Sequence, residues 1–540
     1  MKNIHIQPNK DQTVALCLDT IKKDKQALVF CASKRAAESQ AEKTSKQSYL
    51  NTTILYNLSQ DILLALSNPT KQCKRLAECV KKGVAFHHAG LNSKQRELIE
   101  DNFRSGVIKI ICSTPTLAAG LDLPAFRAIV RDHKRFGQRG MAPIPVLEYN
   151  QMIGRAGRPG QEDYGEGILV ANKPEDVKIL REQYIYGEIE DIYSKLAVEP
   201  VLRTYILSLV STKLVGNVGE LYEFFDNTFY AHQFKDSDKL HLTLRRMVRL
   251  LQEWKFLKKS EKDVKEENEN LFQTATSYFK NKKNKVNTDN ALIATELGKR
   301  VSEMYVDPLT AHVFVKAIKK LESGLHTEEY AFMISHLVCC SLELRPLLRV
   351  KVATQDIAQS LLEEETIVSE DNFNEYSSDE FADTLLTAQF FMDWMNEFTE
   401  DKLMDKYDIR PGEISFKQQH ADWLLYVCEE LARITKQQEN IKHIKKVRVR
   451  IKNGVKAELT SLLRFKGIGR VRARTLFNKG IKTTKEVVEI PFGDLVEMIG
   501  VKMARNIKEE VGETVTDRDV GNIVERARRI HNKQTSLGDY

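Results

Sequence analysis

The sequence predicts an α/β domain built on a parallel sheet, followed by mainly α-helical domains. Short apolar runs alternate with amphipathic helical patterns through residues 1–195, as a parallel sheet flanked by helices requires. The candidate strands are residues 27–31, 83–86, 108–112, 128–130 and 167–170. Helical patterns then dominate, and a length of 540 residues suggests roughly three to five domains.

Composition and charge divide the helical part further. A Lys-, Glu- and Asn-rich stretch at 258–287 lacks a sustained apolar face, so we interpret it as an exposed, mobile insertion. Long amphipathic helices at 305–440, broken by an acidic loop at 363–380, predict a helix bundle. A basic stripe at 436–474 carries thirteen Lys or Arg residues against Glu439 and Glu458. The predicted domains are 1–195, 196–304, 305–440 and 441–528, with a flexible tail at 529–540.

Several protein classes are disfavoured by the composition. Charged residues make up 29% of the chain, and no apolar run approaches the ~18 residues of a membrane-spanning helix. The amino terminus lacks the apolar segment of a signal peptide, so we expect a cytoplasmic protein without a membrane partner.

Metal ligation is not indicated by the cysteines or by the adjacent histidines. The eight cysteines lack paired C-x-x-C spacing, which argues against a zinc knuckle or disulfide framework and favours reduced core residues. His87 and His88 are neighbours on a strand and point to opposite faces, so a structural or backbone-contact role is favoured over a shared metal.

The most informative motif is QMIGRAGRPG at residues 151–160. Gln151, Arg155 and Arg158 surround a Gly-rich turn, and a guanidinium aimed at a γ-phosphate can be worth ~10³–10⁵ in the rate of phosphoryl transfer. The sequence has no G-x-x-x-x-G-K-[ST] loop to cradle the phosphates. The motif therefore indicates half of a composite ATP site, with a solvated Gly-Arg turn as the alternative.

A second motif, STPTLAAGLDLP at residues 113–124, follows the third candidate strand. Backbone amides and hydroxyls in a strand-end loop can meet a phosphodiester or pass motion to a nucleotide. The alternative is a plain Ser/Thr/Pro turn, but the presence of the arginine motif in the same predicted domain favours a functional loop.

Residues 131–143 predict a hairpin with basic and apolar groups near its tip. Phe136 and Met141 are candidate wedge residues at a duplex fork, since unstacking a base step costs only a few kcal/mol, which contacts to the separated strands can offset. A surface loop with two incidental apolar residues explains the pattern equally well.

Taken together, these segments resemble the C-terminal part of archaeal superfamily 2 DNA-repair helicases of the HELQ (Ski-like) type. The segments that carry the resemblance are residues 27–35, 86–91, 114–124 and 151–160, followed by helical domains in the expected order. The resemblance covers essentially the whole chain. The family's first RecA-like motor domain, with its P-loop and metal-binding acid, has no counterpart in the sequence.

This resemblance implies a domain order and a set of roles. It implies a second RecA-like motor domain at 1–195, a winged helix at 196–304, a helical ratchet at 305–440 and a helix-hairpin-helix-like domain at 441–528. ATP would be bound with Mg²⁺ on the first motor domain, facing an arginine finger. The implied residues are Gln151, Arg155 and Arg158 for catalysis, Gly120 and Asp122 for the nucleotide, and Ser33, Lys34 and Thr114 for the DNA backbone.

Residues 412–425 resemble the family's ratchet helix. Trp423 would stack on a base, a contact worth ~1–3 kcal/mol without regard to base identity. Lys417 would supply a basic contact near the position where the family has one. An ordinary core aromatic is the alternative for Trp423.

Residues 466–474 read KGIGRVRAR and resemble a helix-hairpin-helix. Gly467 and Gly469 would let backbone amides approach a DNA phosphate at a helix N-terminus. Arg470, Arg472 and Arg474 would add charge for non-specific backbone binding. A solvated basic face is the alternative.

The tail QTSLGDY at 534–540 resembles a short motif that docks on the sliding clamp. Gln534, Leu537 and Tyr540 would be its contacts, with Leu537 and Tyr540 filling an apolar pocket. A frayed tail without function is the alternative.

These observations predict the C-terminal half of an ATP-dependent 3′–5′ DNA helicase that acts on single-stranded and forked or damaged DNA. We expect it to need a separate P-loop motor subunit and to hydrolyse almost no ATP alone. A non-catalytic DNA-binding scaffold and an RNA helicase are the alternative functions.

Overall fold

Two units make up the part of the chain that the computed structural model describes: residues 6–66, 69–120, 123–137, 140–157, 163–196, 198–258, 291–321, 326–362, 366, 368 and 378–513. The first unit contains Met1–Tyr193 and Glu400–Phe416, and the second contains Ser194–Thr399 and Lys417–Tyr540. The predicted tail and most of the predicted insertion and acidic loop lie outside the described residues.

A five-stranded parallel sheet forms the centre of the first unit, as predicted. Its strand order is β2-β3-β1-β4-β7. The strands are β1 (Ala27–Phe30), β2 (Val84–His87), β3 (Ile110–Ser113), β4 (Arg127–Val130) and β7 (Glu166–Leu169). Each lies within two residues of its predicted bounds, because apolar runs such as ALVF are buried along their whole length.

Helices cover this sheet and enclose one apolar core. Their bounds are α1 (Gln12–Lys22), α2 (Lys34–Gln47), α3 (Thr53–Leu64), α4 (Lys71–Val80), α5 (Ser93–Arg104), α6 (Thr116–Gly120), α7 (Val146–Ile153) and α8 (Asp176–Leu180). A π-helix, Arg181–Ile185, follows α8 directly. Polar side chains start several of these helices: Asp11, Ser33 and Thr52 each accept a hydrogen bond from the first turn.

The predicted hairpin is present between β4 and α7. It consists of β5 (Lys134–Gly137) and β6 (Gly140–Pro143), which pair in antiparallel register. Phe136 is opposite Met141 in that register, one pair before the turn, and Met141 is exposed.

Helices also dominate the second unit. Its first helices are Glu199–Ser211, Val218–Asp226, Phe229–Phe234, Ser237–Glu253, Glu296–Glu303, Pro308–Lys320, Thr327–Cys339, Gln355–Leu361 and Ser378–Met395. Two helices straddle or adjoin the boundary between units: Glu400–Tyr407 belongs to the first unit, and Pro411–Ile434 begins in the first and ends in the second. Gln438–Asn453 follows, together with short 3₁₀ turns at Val352–Thr354, Ala457–Leu459 and Leu462–Arg464.

A small apolar core of its own supports the carboxyl-terminal helices of the second unit. These helices are Arg470–Asn478, Thr484–Glu489, Phe492–Ile499 and Val501–Glu510. Leu476, Leu495 and Ile507 are fully buried in this core. All eight cysteines of the chain are buried as well, as the sequence predicted.

Candidate nucleotide and nucleic-acid site

The carboxyl edge of the sheet gathers the loops that the sequence singled out. Parallel strands end at the same edge, and ligands of open α/β sheets bind there. Phe30 of β1 pairs in register with Ser113 of β3, so the segments beginning at Ser33 and Thr114 leave the sheet side by side. The two predicted DNA-backbone segments are therefore adjacent.

Ser33 and Thr114 are both held by local hydrogen bonds. Ser33 is exposed and caps α2, its hydroxyl accepting from the amide of Ala36 at 3.1 Å. Thr114 is partly buried, and its hydroxyl lies 3.0 Å from that of Thr116. Capping orients the amides of the first turn of α2 toward solvent, where an anion is favoured.

Lys34 has a protein partner at this edge. Its ammonium forms an ion pair with the carboxylate of Glu413, on the segment that begins the helix Pro411–Ile434. Both side chains are about one third exposed, at 31% and 33%. The predicted DNA contact of Lys34 would therefore have to replace or share this carboxylate.

The arginine motif is positioned by α7 and the turn after it. Gln151 is exposed near the carboxyl end of α7. Residue 156 then forms a parallel bridge with Ala125, with the amide of Ala125 donating to the carbonyl of Arg155 at 2.9 Å. Gly157 donates to the carbonyl of Ala125 at 2.7 Å with a φ of +95°, a conformation that favours glycine.

Arg155 links the two predicted nucleotide loops. Its guanidinium donates from Nε to the carbonyl oxygen of Ala118 at 3.1 Å, and from Nη2 to the same oxygen. Ala118 is buried in α6, the short helix of the strand-end loop that also contains Gly120. Arg155 thus ties the turn after α7 to the loop after β3, while Arg158 and Asp122 lie outside the described residues.

A buried carboxylate beside this edge was missed by the sequence analysis. Glu38 of α2 is 3% exposed and accepts hydrogen bonds from Gln72 at 2.8 Å and from Arg75 at 2.8 Å. Its carboxylate also accepts from Arg410 Nε at 3.2 Å and contacts His88 Nε2 at 3.1 Å. The sequence offers no signal for this cluster, since its members come from four separate segments.

The protonation states within this cluster follow from the geometry. The amide of Gly90 donates to His88 Nδ1 at 3.1 Å, so Nε2 carries the proton and donates to Glu38. Burial lowers the pKa of His88 and so keeps the ring neutral, although the hydrogen bond to Glu38 and the charge of Glu38 act in the opposite direction. Burial alone would raise the pKa of Glu38, but the His88 and Gln72 hydrogen bonds and the Arg410 charge lower it to about 2.

The predicted ratchet residues differ in their exposure. Trp423 is partly buried on the helix Pro411–Ile434, in edge contact with His420 at 6.4 Å between ring centroids. Lys417 is only 4% exposed, and its ammonium donates to the carbonyl of Pro346. Because this ammonium is engaged in the protein interior, its placement argues against the predicted DNA contact of Lys417.

The three arginines of the KGIGRVRAR segment also differ. Arg472 is exposed and donates to the carbonyl of Gly467 at 2.9 Å. Arg470 lies over the ring of Trp394, 4.9 Å from its centroid, and donates to the carbonyl of Phe398. Arg470 therefore packs this domain against the helix Ser378–Met395 instead of extending into solvent.

Arg474 is occupied by carboxylates. Its guanidinium makes two parallel bonds to Glu397, at 2.7 and 2.9 Å, and an ion pair with Glu458 at 2.8 Å. Gly469 is exposed at the N-terminus of the helix Arg470–Asn478 with open space around it. Gly467 has a φ of +91°, so a turn there requires a left-handed conformation. The glycine pair and Arg472 remain accessible for a backbone phosphate.

Comparison with known proteins supplies the family. The model for the helicase conserved C-terminal domain matches residues 9–160, a helix-turn-helix model matches 165–258, and the model for domain 4 of archaeal helicases matches 332–454. The ATP-dependent DNA helicase Hel308 of Methanococcus vannielii is 37% identical over 521 residues, covering 93% of this chain and 68% of the relative. The chain belongs to the Hel308 family.

Other Hel308 helicases match over the same extent. The protein of Pyrococcus abyssi is 34% identical over 523 residues, covering 95% of this chain and 67% of the relative. The protein of Methanocella arvoryzae is 34% identical over 517 residues, covering 94% and 65%. The chain thus corresponds to the C-terminal two thirds of Hel308, and the predicted family, sheet domain and helical domains are confirmed.

The Hel308 relatives are ATP-dependent DNA helicases, which agrees with the predicted class of activity. The helix-turn-helix match supports the predicted winged helix. Among the described residues, no helix is both long and apolar enough to cross a membrane. The clamp residues Gln534, Leu537 and Tyr540 lie outside the described residues.

Proposed function

We propose that this chain supplies the second motor domain and the DNA-binding apparatus of an ATP-dependent 3′–5′ DNA helicase that acts on forked or damaged DNA. A separate P-loop motor domain completes the enzyme. The chain alone is inactive as an ATPase, because its sequence has no loop to hold the triphosphate.

One observation carries this proposal: Arg155 joins the loop after β3 to the turn after α7, at the edge of the sheet where Ser33 and Thr114 also lie. A nucleotide-facing turn and a DNA-facing loop that are connected by a partly buried hydrogen bond can move together. Closure of the P-loop domain on this edge would then change the grip on the DNA backbone.

The groups near the turn after α7 are suited to contact a nucleotide whose phosphates are held by another domain. Gln151 presents an exposed amide beside the turn, and Gly120 ends the adjoining loop. When bound, ATP supplies the transferable γ-phosphoryl group, with Mg²⁺ ligated by the P-loop domain. Because Arg155 is hydrogen-bonded to Ala118, we assign it a positioning role and assign the finger to Arg158, with Asp122 near the nucleotide.

The DNA path uses three separate surfaces. Phe136 and the exposed Met141 form the wedge of the β5–β6 hairpin at the fork. Trp423 offers a stacking platform for the single strand. The loop of Gly467 and Gly469, with Arg472, binds duplex or single-stranded backbone without regard to sequence.

ATP hydrolysis tests the composite site directly. We expect the purified chain to show almost no DNA-stimulated turnover, and to gain it when the P-loop motor domain is added. Arg158→Ala in the reconstituted pair should lower turnover by about a thousandfold or more, since an arginine finger is worth ~10³–10⁵ in rate, while DNA binding is retained. Robust turnover by the chain alone would overturn the proposal.

The alternative functions give different results in the same assay. A DNA-binding scaffold predicts that Arg158→Ala leaves unwinding unchanged. An RNA helicase predicts stronger stimulation of ATP hydrolysis by single-stranded RNA than by DNA.

Purification of the chain from its native cell, followed by identification of associated proteins, tests whether a P-loop subunit and a sliding clamp accompany it.

A further inference from the structure

One buried tyrosine holds the base of the β5–β6 hairpin. The two ends of the hairpin meet where the amide of Ile144 donates to the carbonyl oxygen of His133 at 3.0 Å. The hydroxyl of Tyr184 lies 3.1 Å from this oxygen of His133 and 3.0 Å from the carbonyl oxygen of Ile144. Tyr184 is only 2% exposed, so its one proton serves both ends of the hairpin away from water.

The ring of Tyr184 connects this base to α7. Its centroid lies 5.1 Å from that of Tyr149 in α7, within the range of favourable aromatic pairs. Both rings belong to the apolar core of the sheet domain. Tyr184 is part of the π-helix Arg181–Ile185, a conformation that is often found at functional sites. The hairpin base and α7 therefore pack on the same side chain.

The covalent link between the hairpin and α7 is short and stiff. β6 ends at Pro143 and α7 begins at Val146, so only two residues separate them. One of the two is Pro145, whose ring fixes its φ. Glu190 accepts hydrogen bonds from the amides of Val146 and Leu147, at 2.6 and 3.1 Å, which holds the first turn of α7 in place.

An ion pair holds the hairpin a second time, nearer its tip. Nη1 of Arg135 in β5 lies 2.7 Å from Oε1 of Glu148 in α7. Arg135 directly precedes Phe136, which is opposite the exposed Met141. Gln151 follows Glu148 by about one helical turn. Attachment at the base alone would let the hairpin pivot, whereas this second attachment fixes its angle to α7.

We propose that Tyr184 and Glu148 are positioning residues for strand separation. They hold the hairpin at a fixed angle to α7, so that movement of α7 at the nucleotide carries the tip of the hairpin with it. This inference rests on the proposed function, which assigns the wedge to this hairpin, and adds the contacts through which the helix of Gln151 directs the wedge.

A direct DNA contact is the alternative role for Arg135, whose side chain is 45% exposed. Charge exchange separates the two roles. Arg135→Glu and Glu148→Arg each break the ion pair, and the two changes together restore it with the charges exchanged. A phosphate contact predicts that the exchanged pair stays defective, because position 135 is then negative. Exposed ion pairs contribute little to stability, so the single variants should remain folded.

The first measurement uses the 540-residue chain alone with a forked duplex that carries 2-aminopurine in the base pair at the junction. The fluorescence of this base rises when it unstacks. We expect saturating wild type to raise the signal. Each single variant and Tyr184→Phe should give roughly half of that rise or less, because a misdirected wedge unstacks the junction less often. The exchanged pair should restore the signal.

The control for charge reversal is Arg104→Glu. Arg104 is 46% exposed and pairs with Asp101 at 2.7 Å, which matches the ion pair of Arg135, but it lies in α5. This variant should behave like wild type. Tyr184→Phe is conservative in a different way, since it keeps the ring against Tyr149 and removes only the hydroxyl.

The second measurement counts the base pairs opened per ATP hydrolysed by the chain reconstituted with the P-loop motor domain. On forked DNA, we expect Arg135→Glu, Glu148→Arg and Tyr184→Phe to open roughly threefold fewer base pairs per ATP, because less of the motion of α7 reaches the wedge. ATP turnover on single-stranded DNA should stay at the wild-type rate. The exchanged pair should restore the wild-type ratio.

Three results would overturn the inference: no rise in the junction signal with wild type, single variants that match wild type, or an exchanged pair as defective as the single variants. A parallel loss of ATP turnover on single-stranded DNA would also overturn it, because these residues would then act on the nucleotide. If the reconstituted wild type hydrolyses no ATP, the proposed function fails, and the junction signal of the chain alone still decides the positioning roles.

Discussion

The amide of Gly412 donates a hydrogen bond to the carbonyl oxygen of Gly90 at 2.9 Å, joining the start of the helix Pro411–Ile434 to the loop after β2. The two backbones are so close that a Cβ on Gly412 would lie 2.1 Å from the carbonyl oxygen of Ala89. Arg410 reaches Glu38 from the same segment. Residues 400–416 are therefore held to the sheet domain by a backbone contact and a buried charge.

Gly412→Ala should loosen this contact. The added methyl meets backbone oxygen, which cannot move aside as a side chain can, so we expect a loss of about 1–3 kcal/mol. Hydrogen–deuterium exchange of peptides covering 400–416 and 86–92 should rise. Gly216→Ala is the control, since its Cβ would make only ordinary contact, 3.5 Å from Glu220. Equal exchange in both variants would contradict the prediction.

Acid should weaken the same cluster. The pKa of Glu38 is lowered to about 2 from 4.5, so its contribution to stability is complete above pH 4.5 and is lost as the pH falls toward 2. Burial also lowers the pKa of His88 below 6.5, so the unfolded chain gains a proton first and stability declines below that pH. Both groups act in the same direction.

Glu38→Gln separates the carboxylate's share of this acid sensitivity. We expect lower stability at pH 7, because Arg75 and Arg410 lose a buried counter-charge, and a flatter stability curve between pH 4.5 and 2. Denaturant titrations across that pH range measure both effects. Glu78→Gln, at an exposed ion pair with Lys81, should reproduce the wild-type curve. A curve for Glu38→Gln that runs parallel to wild type would refute the assignment.

The parts of the fold that were predicted correctly depend on local pattern. The strand ALVF is apolar and buried along its whole length, and IICS is buried throughout and apolar up to Ser113. A Gly-containing loop between basic residues indicated the hairpin. The turn at Gly157 was recognisable because glycine tolerates its positive φ. These signals lie within ten or so residues of each other, so no knowledge of distant contacts was needed.

Contacts between distant segments could not be predicted. Glu38 and Arg410 are 372 positions apart, and nothing in either segment indicates the other. Lys417 has the charge of a surface residue, yet its ammonium finds a backbone acceptor at Pro346 and is buried. Arg474 belongs to a basic stripe, but Glu397, 77 positions earlier, occupies its guanidinium. Residue type alone did not separate the cations that are exposed from those that are already engaged within the protein.

We expect Glu413 and a DNA phosphate to compete for the ammonium of Lys34. In the structure its ammonium is paired with the carboxylate of Glu413, so a phosphate would have to replace or share that carboxylate. Glu413→Gln keeps an oxygen that can accept from the amide of Arg410 but removes the charge. We expect severalfold tighter binding of single-stranded DNA at low salt, with a slope of log affinity against log salt steeper by about 0.7.

Fluorescence anisotropy with a labelled oligonucleotide, measured at several salt concentrations, gives both quantities. Asp405→Asn is the matched control, because it removes one negative charge from the same segment and releases Lys71 instead of Lys34. If Asp405→Asn tightens DNA binding as much as Glu413→Gln does, net charge explains the effect and the competition at Lys34 is rejected.

Replacing Arg472 should weaken DNA binding, whereas replacing Arg474, two residues further along, should lower the stability of the fold. Arg472→Ala removes an exposed guanidinium whose acceptor is the carbonyl of Gly467, so DNA affinity and its salt dependence should fall while stability changes by less than about 0.5 kcal/mol. Arg474→Ala leaves the carboxylate of Glu397 without two hydrogen bonds, which should cost about 1–3 kcal/mol. Anisotropy and thermal unfolding of both variants measure the contrast. The two assignments would be reversed if folded Arg474→Ala lost DNA affinity and Arg472→Ala did not. Such a result would mean that the guanidinium of Arg474 leaves its carboxylates, because only then can it neutralise a phosphate.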